Sequence, residues 1–317
     1  MTERTLRLGS RRSPMAIAQS RQVAGLITER TGRQVEIVGV TTLGDVSRAQ
    51  LTQIGGTGVF VSALREALRG GEVDLAVHSL KDLPTGPAPG IVLAAVPARD
   101  DPRDALVGRD RAKLADLPGG ARIGTGSPRR AAQLLGLRAG LRCVPIRGNA
   151  GTRLGKVESG ELDGVVLAYA GLARIGHVGA ITQVFEPDEM LPAPGQGALA
   201  VEIRADDPEL AALLQAVTDE ASVAAVTAER SLLEALEAGC SAPIGAYAAV
   251  FPGSTAQLQM HAAVMSPDGS RVLRAHGGVP TAGAWQLGRD LAAELLRAGA
   301  SDLISRPEEQ ANSRNDV

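Results

Sequence analysis

The stretch Thr5-Leu6-Arg7-Leu8-Gly9-Ser10-Arg11-Arg12-Ser13-Pro14 decides the fold class. Residues 5–9 alternate between polar and apolar side chains, which predicts a β-strand. Ser13 is a good helix N-cap and Pro14 fits the first helical position, so we predict a helix from there to Arg30. A second strand is predicted over residues 34–40. This β–α–β order indicates an α/β fold with a mainly parallel sheet.

The same arrangement occurs a second time along the chain. Residues 121–125 predict a strand, and Gly126-Ser127-Pro128-Arg129-Arg130 opens a helix that runs to Leu137. Gly71-Glu72-Val73-Asp74 and Gly160-Glu161-Leu162-Asp163 each precede another predicted strand. We therefore predict two similar α/β lobes with a cleft between them. In such sheets ligands bind at the carboxyl ends of the strands.

Changes in composition divide the chain into three predicted domains. Turn-rich segments near residues 98–104 and 191–197 are the predicted linkers. After residue 220 a long helix, three alternating runs and a closing helix predict a small α+β domain. The expected boundaries are 1–98 with 198–216 for domain 1, 104–191 for domain 2, 220–305 for domain 3, and a disordered tail at 306–317.

The overall composition excludes several classes of function. The 317 residues carry a net charge of −2 and only 2% are aromatic, which disfavours nucleic acid as a partner. No apolar run reaches the roughly 18 residues of a membrane span, and the start lacks the apolar core of a signal peptide. Two cysteines fit the reducing cytoplasm. The four histidines show no metal-ligand spacing, and phosphate-loop motifs are absent.

Cationic side chains fall at turns rather than along helix faces. Any one arginine is most simply a solvated surface charge. Two of these positions, however, open helices whose first N–H groups already favour an anion. As a group they indicate a groove for a small ligand with several carboxylates. The members are Arg11, Lys81, Arg129, Arg130, Arg147, Arg153 and Arg174.

Two further residues are candidates for chemistry. Cys240 lies in Gly239-Cys240-Ser241-Ala242-Pro243-Ile244-Gly245, a tight loop after a helical run, where a thiol can be reached. The simpler alternative is a small buried side chain, which is how we interpret Cys143. Asp82 stands beside Lys81 in a basic neighbourhood. It either forms a local salt bridge or acts as an acid and base.

The motifs in combination resemble the hydroxymethylbilane synthase family, also called porphobilinogen deaminases, over about residues 6–304. Two departures stand out: Gly126 and Pro128 flank Ser127 where the family often has Ser and Leu, and Thr57 replaces a common Lys. The motifs that carry the resemblance are Arg11-x-Ser13-Pro14, His78-Ser79-Leu80-Lys81-Asp82, Gly124-Thr125-x-Ser127-x-Arg129-Arg130, Arg147-Gly148-Asn149-x-Gly151-Thr152-Arg153, Leu191-Pro192-Ala193-Pro194-Gly195-Gln196-Gly197 and Gly239-Cys240-x-x-Pro243-Ile244-Gly245.

The resemblance implies a specific fold and reaction. The family has two periplasmic-binding-protein-like α/β domains with a cleft, plus a third domain that bears the cysteine. It joins four porphobilinogen molecules into hydroxymethylbilane with release of ammonia, in tetrapyrrole and heme biosynthesis. The growing chain is attached to a dipyrromethane cofactor, held here by a thioether to Cys240. The expected enzyme is a cytoplasmic, monomeric transferase without a metal.

The resemblance also assigns roles to residues. Asp82 would be catalytic: it would stabilise the electron-poor azafulvene left after loss of ammonia, and would move the protons. Residues 41–58 would form a mobile lid. The expected cofactor contacts are Ser79, Lys81, Asp82, Thr125, Ser127, Arg129, Arg130, Arg147, Gly148 and Asn149. The expected substrate contacts are Arg11, Ser13, Phe60, Arg147, Arg153, Arg174 and Gln196.

Two alternatives remain at this point. The first two lobes alone would also fit a non-catalytic bilobal binding protein, against which the cysteine-bearing domain and the missing signal sequence argue. A carboxylate-handling ligase or transferase that uses a nucleotide is the other, and the absent phosphate loop argues against it.

Overall fold

The computed structural model describes residues 4–40, 58–237, 242–251 and 257–304, with only the backbone for 58–60. The strands and helices follow in this order: β1 (Leu6–Ser10), α1 (Pro14–Thr31), β2 (Val35–Gly39), α2 (Gly58–Arg69), β3 (Leu75–Ser79), β4 (Ile91–Ala95), β5 (Asp104–Gly108), β6 (Arg122–Gly124), α3 (Pro128–Leu137), β7 (Arg142–Val144), α4 (Ala150–Glu158), β8 (Gly164–Ala168), α5 (Tyr169–Arg174), β9 (Gln183–Phe185), β10 (Leu199–Arg204), α6 (Pro208–Leu214), α7 (Glu220–Ala235), β11 (Ile244–Phe251), β12 (Gln257–Met265), β13 (Val272–Pro280), α8 (Ala284–Arg297) and α9 (Ala300–Ile304).

Internal contacts group the chain into two compact units. The first unit comprises Met1–Pro102, Ala170–His177 and Gly195–Val223. The second comprises Arg103–Tyr169, Val178–Pro194 and Ala224–Val317. The finer division into three domains stays a prediction, as does the cleft.

The first unit contains a five-stranded sheet in the order β2-β1-β3-β10-β4. Strands β1, β2 and β3 are parallel, and β10 returns antiparallel between β3 and β4. Alternate residues of each strand face opposite sides, so the sheet needs cover on both. Side chains from α1 and α6 cover one face around Leu75 and Val201, and α2 covers the other around Ala76.

The second unit repeats this sheet with the order β7-β6-β8-β5-β9. Strands β6, β7 and β8 are parallel, and β5 runs antiparallel between β8 and β9. The strand order and directions match position by position, so β6 corresponds to β1, β8 to β3 and β5 to β10. The predicted fold class, two α/β sheet-and-helix domains plus a small C-terminal domain, is confirmed.

The short sequence repeat performs the same task in both units. In the first, Asp74 N donates to Arg7 O at 2.8 Å and Arg7 N donates to Asp74 Oδ2 at 2.8 Å. In the second, Asp163 N donates to Arg122 O at 2.9 Å and Arg122 N donates to Asp163 Oδ2 at 2.8 Å. Each aspartate thus fixes the start of a central strand against its parallel neighbour.

The C-terminal part of the second unit is a three-stranded antiparallel sheet, β11-β12-β13. Helices α7 and α8 cover one face, with Leu232, Leu258 and Leu291 in the shared core. The helices approach backbone to backbone, because a Cβ on Gly288 would lie 2.1 Å from Ala228 O. This arrangement agrees with the predicted α+β domain.

The helix predictions are close to the observed bounds. Ser13 caps α1 as expected, and the helix ends at Thr31, one residue beyond the prediction. Helix α7, Glu220–Ala235, agrees with the long helix predicted after residue 220. In the described ranges no single helix is long and apolar enough to span a membrane. Two consecutive helical segments, Pro208–Val217 and Glu220–Ala235, are long and apolar enough together, but the chain bends by 107° between them.

Candidate functional site

The carboxyl end of β1 presents Arg11 and Ser13 in the first unit. Ser13 Oγ accepts a hydrogen bond from Ala16 N at 3.3 Å, which caps α1. Pro14 at the first helical position has no N–H to satisfy, so the loop turns into the helix without a lost hydrogen bond. Arg11 lies half-buried just before this cap.

The carboxyl end of β3 presents Ser79, Lys81 and Asp82. Residues Leu80–Asp82 form one 3-10 turn. Leu80 is fully buried and its N–H donates to Ala198 O at 3.0 Å, which anchors the turn. Ser79 Oγ accepts a hydrogen bond from the buried Gln19 Nε2 at 2.6 Å. The turn therefore holds Lys81 half-buried and leaves Asp82 exposed.

Asp82 does not form the local salt bridge that was the simpler alternative. Lys81 Nζ instead donates to Gln196 Oε1 at 3.3 Å. Within the part of the chain that the structure describes, the Asp82 carboxylate has no ion pair and no hydrogen bond. An exposed carboxylate on an anchored turn is free to contact a ligand.

Gln196 is held in place from three sides. It is fully buried, its Nε2 donates to Pro102 O at 2.6 Å, and Arg99 Nε donates to its backbone carbonyl at 2.8 Å. The flanking Gly197 has φ 90°, and a Cβ there would lie 2.5 Å from Asp100 O. The amide oxygen of Gln196 thus accepts from Lys81, and the amide nitrogen donates to Pro102 O. A direct contact of Gln196 with substrate stays a prediction.

Arg174 is also engaged inside the first unit. Its NH2 lies 2.7 Å from Asp100 Oδ2 and donates to Gly197 O at 2.7 Å, and only 10% of the side chain is exposed. Burial lowers the pKa of Arg174, and the Asp100 carboxylate opposes that shift. This arginine stabilises the glycine-rich turn, and its predicted contact with substrate is not tested.

A buried ion network lies under the turn that carries Asp82. His78 Nε2 is 3.2 Å from Glu202 Oε2, and Arg65 NH2 is 2.6 Å from Glu202 Oε1. Burial would raise the pKa of Glu202, but the nearby His78 and the hydrogen bonds from Arg65 outweigh it and lower the pKa to about 2. Sequence reasoning missed Arg65 and Glu202, because no local motif links residues on α2 and β10.

The second unit presents Thr125 and Ser127 at the carboxyl end of β6. Ser127 Oγ accepts from Arg130 N at 3.4 Å and so caps α3, with Pro128 at the first helical position. Thr125 Oγ accepts from Ser127 N at 3.2 Å, so its oxygen shapes the loop. The helix start thus survives the departures at residues 126 and 128.

Arg129 and Arg130 are buried and share one carboxylate. Arg129 NH1 lies 2.7 Å from Asp104 Oδ2, and Arg130 NH2 lies 2.7 Å from Asp104 Oδ1. Their side chains are 3% and 7% exposed, and that of Asp104 is fully buried. The two buried guanidinium groups thus share one carboxylate as counter-charge. Asp104 was missed by sequence reasoning.

Arg129 keeps a free donor. Its NH1 also donates to Leu191 O at 2.5 Å. Its Nε is buried and has no hydrogen-bond partner among the described residues. Burial lowers the pKa of Arg129, the Asp104 carboxylate raises it, and nearby Arg130 lowers it further. Buried donors are almost always paired, so the Nε of Arg129 is available to donate to a ligand bound at this site.

The loop before α4 adds Arg147, Gly148, Asn149 and Arg153. Asn149 Oδ1 accepts from Thr152 N at 2.8 Å and caps the helix, and Gly148 has φ 103°, which favours glycine. Arg153 Nε donates to Gly148 O at 2.9 Å. Burial and the nearby Arg130 lower the pKa of Arg153. Arg147 is exposed.

Three predicted features lie outside the described residues. Cys240 belongs to residues 238–241, and the predicted lid over residues 41–58 lies outside the description except for the backbone of its last residue. The side chain of Phe60 is likewise not described. Cys143 is half-buried against the core of the second unit, and burial raises the pKa of its thiol.

Two family models match almost the whole chain. The model described as porphobilinogen deaminase, dipyromethane cofactor binding domain, matches residues 6–212, and the model of the porphobilinogen deaminase C-terminal domain matches residues 223–297.

Individual relatives match over a similar length. Porphobilinogen deaminase of Thermobifida fusca is 58% identical over 313 residues, which are 96% of this chain and 97% of that protein. Porphobilinogen deaminase 1 of Streptomyces coelicolor is 56% identical over 314 residues, 96% and 98% of the two chains. Among solved structures, a double mutant of the VFT2 domain of Bordetella pertussis BvgS has a TM-score of 0.40 at 19% identity, over 67% of this chain and 85% of that one.

Proposed function

Because this chain belongs to the porphobilinogen deaminase family, we propose that it joins four porphobilinogen molecules head to tail into hydroxymethylbilane. Each coupling releases one ammonia. The product chain grows on a dipyrromethane primer held by a thioether to Cys240. On the same family grounds we propose a monomeric cytoplasmic transferase that needs neither a metal nor a nucleic acid.

The observation that carries this proposal is the unpaired Nε of the buried Arg129. Each pyrrole of the proposed primer carries an acetate and a propionate. Arg129 shares the Asp104 carboxylate with Arg130, and a ligand carboxylate on Arg129 would supply a second counter-charge and the missing acceptor for Nε. The residues present therefore fit the dipyrromethane.

The burial of each cationic side chain decides which carboxylates it would bind, those of the permanently bound cofactor or those of the growing chain. Arg129 and Arg130 are rigid, because Asp104 and backbone carbonyls hold them, so they suit a ligand that stays bound. Arg147 is exposed and Arg153 half-buried, so they suit a growing chain that must exchange position. The further predicted contacts to the primer are Ser79, Lys81, Thr125, Ser127, Gly148 and Asn149, and those to substrate are Arg11, Ser13, Phe60, Arg174 and Gln196.

The bound dipyrromethane would supply a nucleophilic pyrrole carbon and keep it attached to the protein, so that each coupling is effectively intramolecular.

Asp82 would donate and accept the protons that move in each coupling. The C–N bond of the aminomethyl group breaks, and Asp82 helps protonate the departing amine, which leaves as ammonia. The same carboxylate stabilises the positive charge left on the pyrrole nitrogen. A C–C bond then forms between two rings, and the proton displaced from the ring carbon returns to Asp82. The exposed position of Asp82, without an ion pair among the described residues, leaves its carboxylate available for these steps.

The direct test is to incubate the purified protein with porphobilinogen and to measure ammonia and tetrapyrrole together. The expected result is one ammonia for every porphobilinogen consumed and one tetrapyrrole for every four. Binding of porphobilinogen without ammonia release would contradict the proposal and favour the bilobal binding protein. Glu161→Gln, which changes an exposed acid paired with Lys156, serves as the control variant and should behave like the wild type.

A further inference from the structure

Gln133 lies one helical turn after Arg129 on α3 and is buried. The oxygen and the nitrogen of its side-chain amide both form hydrogen bonds with the backbone of Leu191. Leu191 N donates to Gln133 Oε1 at 2.8 Å, and Gln133 Nε2 donates to Leu191 O at 3.0 Å. The two hydrogen bonds fix the plane of the amide and the position of Leu191 together.

Leu191 is also the second anchor of Arg129. The Leu191 carbonyl accepts from Arg129 NH1 at 2.5 Å, while Asp104 holds the same nitrogen at 2.7 Å. The orientation of the guanidinium, and hence of its unpaired Nε, depends on both acceptors. A displaced Leu191 would therefore leave Arg129 attached to Asp104 but turned away from its ligand.

The other side of Leu191 packs on the strand that follows the cysteine loop. A Cβ on Gly245 would lie 2.7 Å from Leu191 Cβ, so only glycine allows this contact. Ala246 N donates to Pro192 O at 2.9 Å. Gly245 and Ala246 belong to β11, whose first residue, Ile244, comes four positions after Cys240 in the sequence.

We propose that Gln133 is a positioning residue for attachment of the cofactor. Through its hydrogen bonds to Leu191, Gln133 fixes the position of Arg129 relative to the start of β11. The arginine then meets a carboxylate of the group carried by Cys240. This inference rests on the proposed function. Gln133 itself touches no reacting atom: it acts through Leu191.

The test uses Gln133→Met, which keeps the volume of the side chain and removes both hydrogen bonds to Leu191, together with a longer one of 3.4 Å from Gln133 Nε2 to Arg129 O. The control is Ser231→Ala, which removes a buried hydrogen bond from Ser231 Oγ to Trp285 O and touches neither Arg129 nor Leu191. Freshly prepared cofactor-free protein is incubated with a range of porphobilinogen concentrations at 25 °C. Intact-mass analysis follows the fraction of chains that gain two pyrrole units, and circular dichroism gives the folded fraction.

We expect the concentration for half-maximal loading to rise about tenfold in Gln133→Met, the effect of losing one charge-assisted hydrogen bond to the ligand. Ser231→Ala should stay within twofold of the wild type. A loss of stability alone would raise this concentration only by the inverse of the folded fraction, which circular dichroism measures.

Three outcomes would overturn the inference. Half-maximal loading of Gln133→Met within twofold of the wild type shows that Leu191 does not position Arg129. An equal shift in both variants shows a general effect of destabilisation. If the wild type gains no mass, the proposed function fails, and this inference fails with it.

Discussion

The two five-stranded sheets share one strand order but carry different chemistry at their carboxyl ends. In the first unit, Ser13-Pro14 opens a helix that continues with Met15 and Ala16. In the second, Ser127-Pro128 opens the equivalent helix, which continues with Arg129 and Arg130. The backbone is repeated, and the residues that follow the cap decide whether the helix start gains two positive charges.

The antiparallel strand beside each site also differs: the second unit places an aspartate where the first has a leucine. Leu199 of β10 pairs with Ser79, the last residue of β3, and Asp104 of β5 pairs with Ala168, the last residue of β8. Asp104 allows two arginines to be buried, because it neutralises one of them. The first unit has no such group at the equivalent position and instead exposes Asp82. The buried arginine pair thus belongs to the second unit, whereas the carboxylate proposed to move protons belongs to the first.

The largest effect is expected for Asp82→Asn. The amide keeps the size of the side chain but cannot take up the ring proton, so tetrapyrrole formation should fall roughly 10²- to 10⁴-fold. The mass of the attached cofactor should not change, because the proposed thioether to Cys240 does not involve Asp82. Steady-state assays and intact-mass analysis check the two halves of this prediction. Turnover within threefold of the wild type would show that another group moves the protons.

Asp104→Asn should affect stability in the second unit. Removing the shared carboxylate breaks an ion pair of each of two buried guanidinium groups, which costs about 3–5 kcal/mol of unfolding free energy. Urea denaturation measures the loss. Glu161→Gln, which breaks the exposed pair with Lys156, should cost only about 0–1 kcal/mol. Similar losses in both variants would contradict the buried cluster.

Glu202 should make the stability of the first unit more sensitive to acid than that of the second unit. Its folded-state pKa of about 2 lies below the ordinary 4.5, so the stabilisation is present above pH 4.5 and is lost as the pH falls towards 2. Between pH 5 and pH 3 the wild type should therefore lose about 2 kcal/mol more than Glu202→Gln. Denaturation at the two pH values tests this, and equal slopes for the two proteins would rule out the ion network.

The smallest effect tests the equivalence of the two helix starts. Ser13 and Ser127 accept cap hydrogen bonds of 3.3 and 3.4 Å. Ser13→Ala and Ser127→Ala should each cost about 1 kcal/mol, with the same value within a few tenths. Thermal unfolding measures both. A clearly larger loss at one serine would mean that its hydroxyl does more than cap the helix.

The comparison also shows where sequence reasoning succeeds. The caps at Ser13 and Ser127 depend on neighbours three residues away, so local patterns predicted them. The repeat that contains Asp74 and Asp163 was visible for the same reason: its residues lie together in the sequence. The fold class followed from these local units, because connection rules leave few ways to join them.

The missed residues depend on contacts that are distant in the sequence. Asp104 was predicted as part of a turn-rich linker, yet it heads β5 and meets Arg129 only because β5 pairs with β8. Arg65 and Glu202 are 137 positions apart. Sequence reasoning recognised Arg174 as a cation at a turn, but its ion pair with Asp100 spans 74 positions and needed the fold.

The central claim is that Cys240 carries the cofactor, and intact-mass analysis tests it most directly. Wild-type protein incubated with porphobilinogen should show an excess mass of two pyrrole units, and peptide mapping should place it on Cys240. Cys240→Ser should show no excess, while Cys143→Ser should match the wild type. An unmodified wild type, or an adduct that maps to Cys143, would contradict the account.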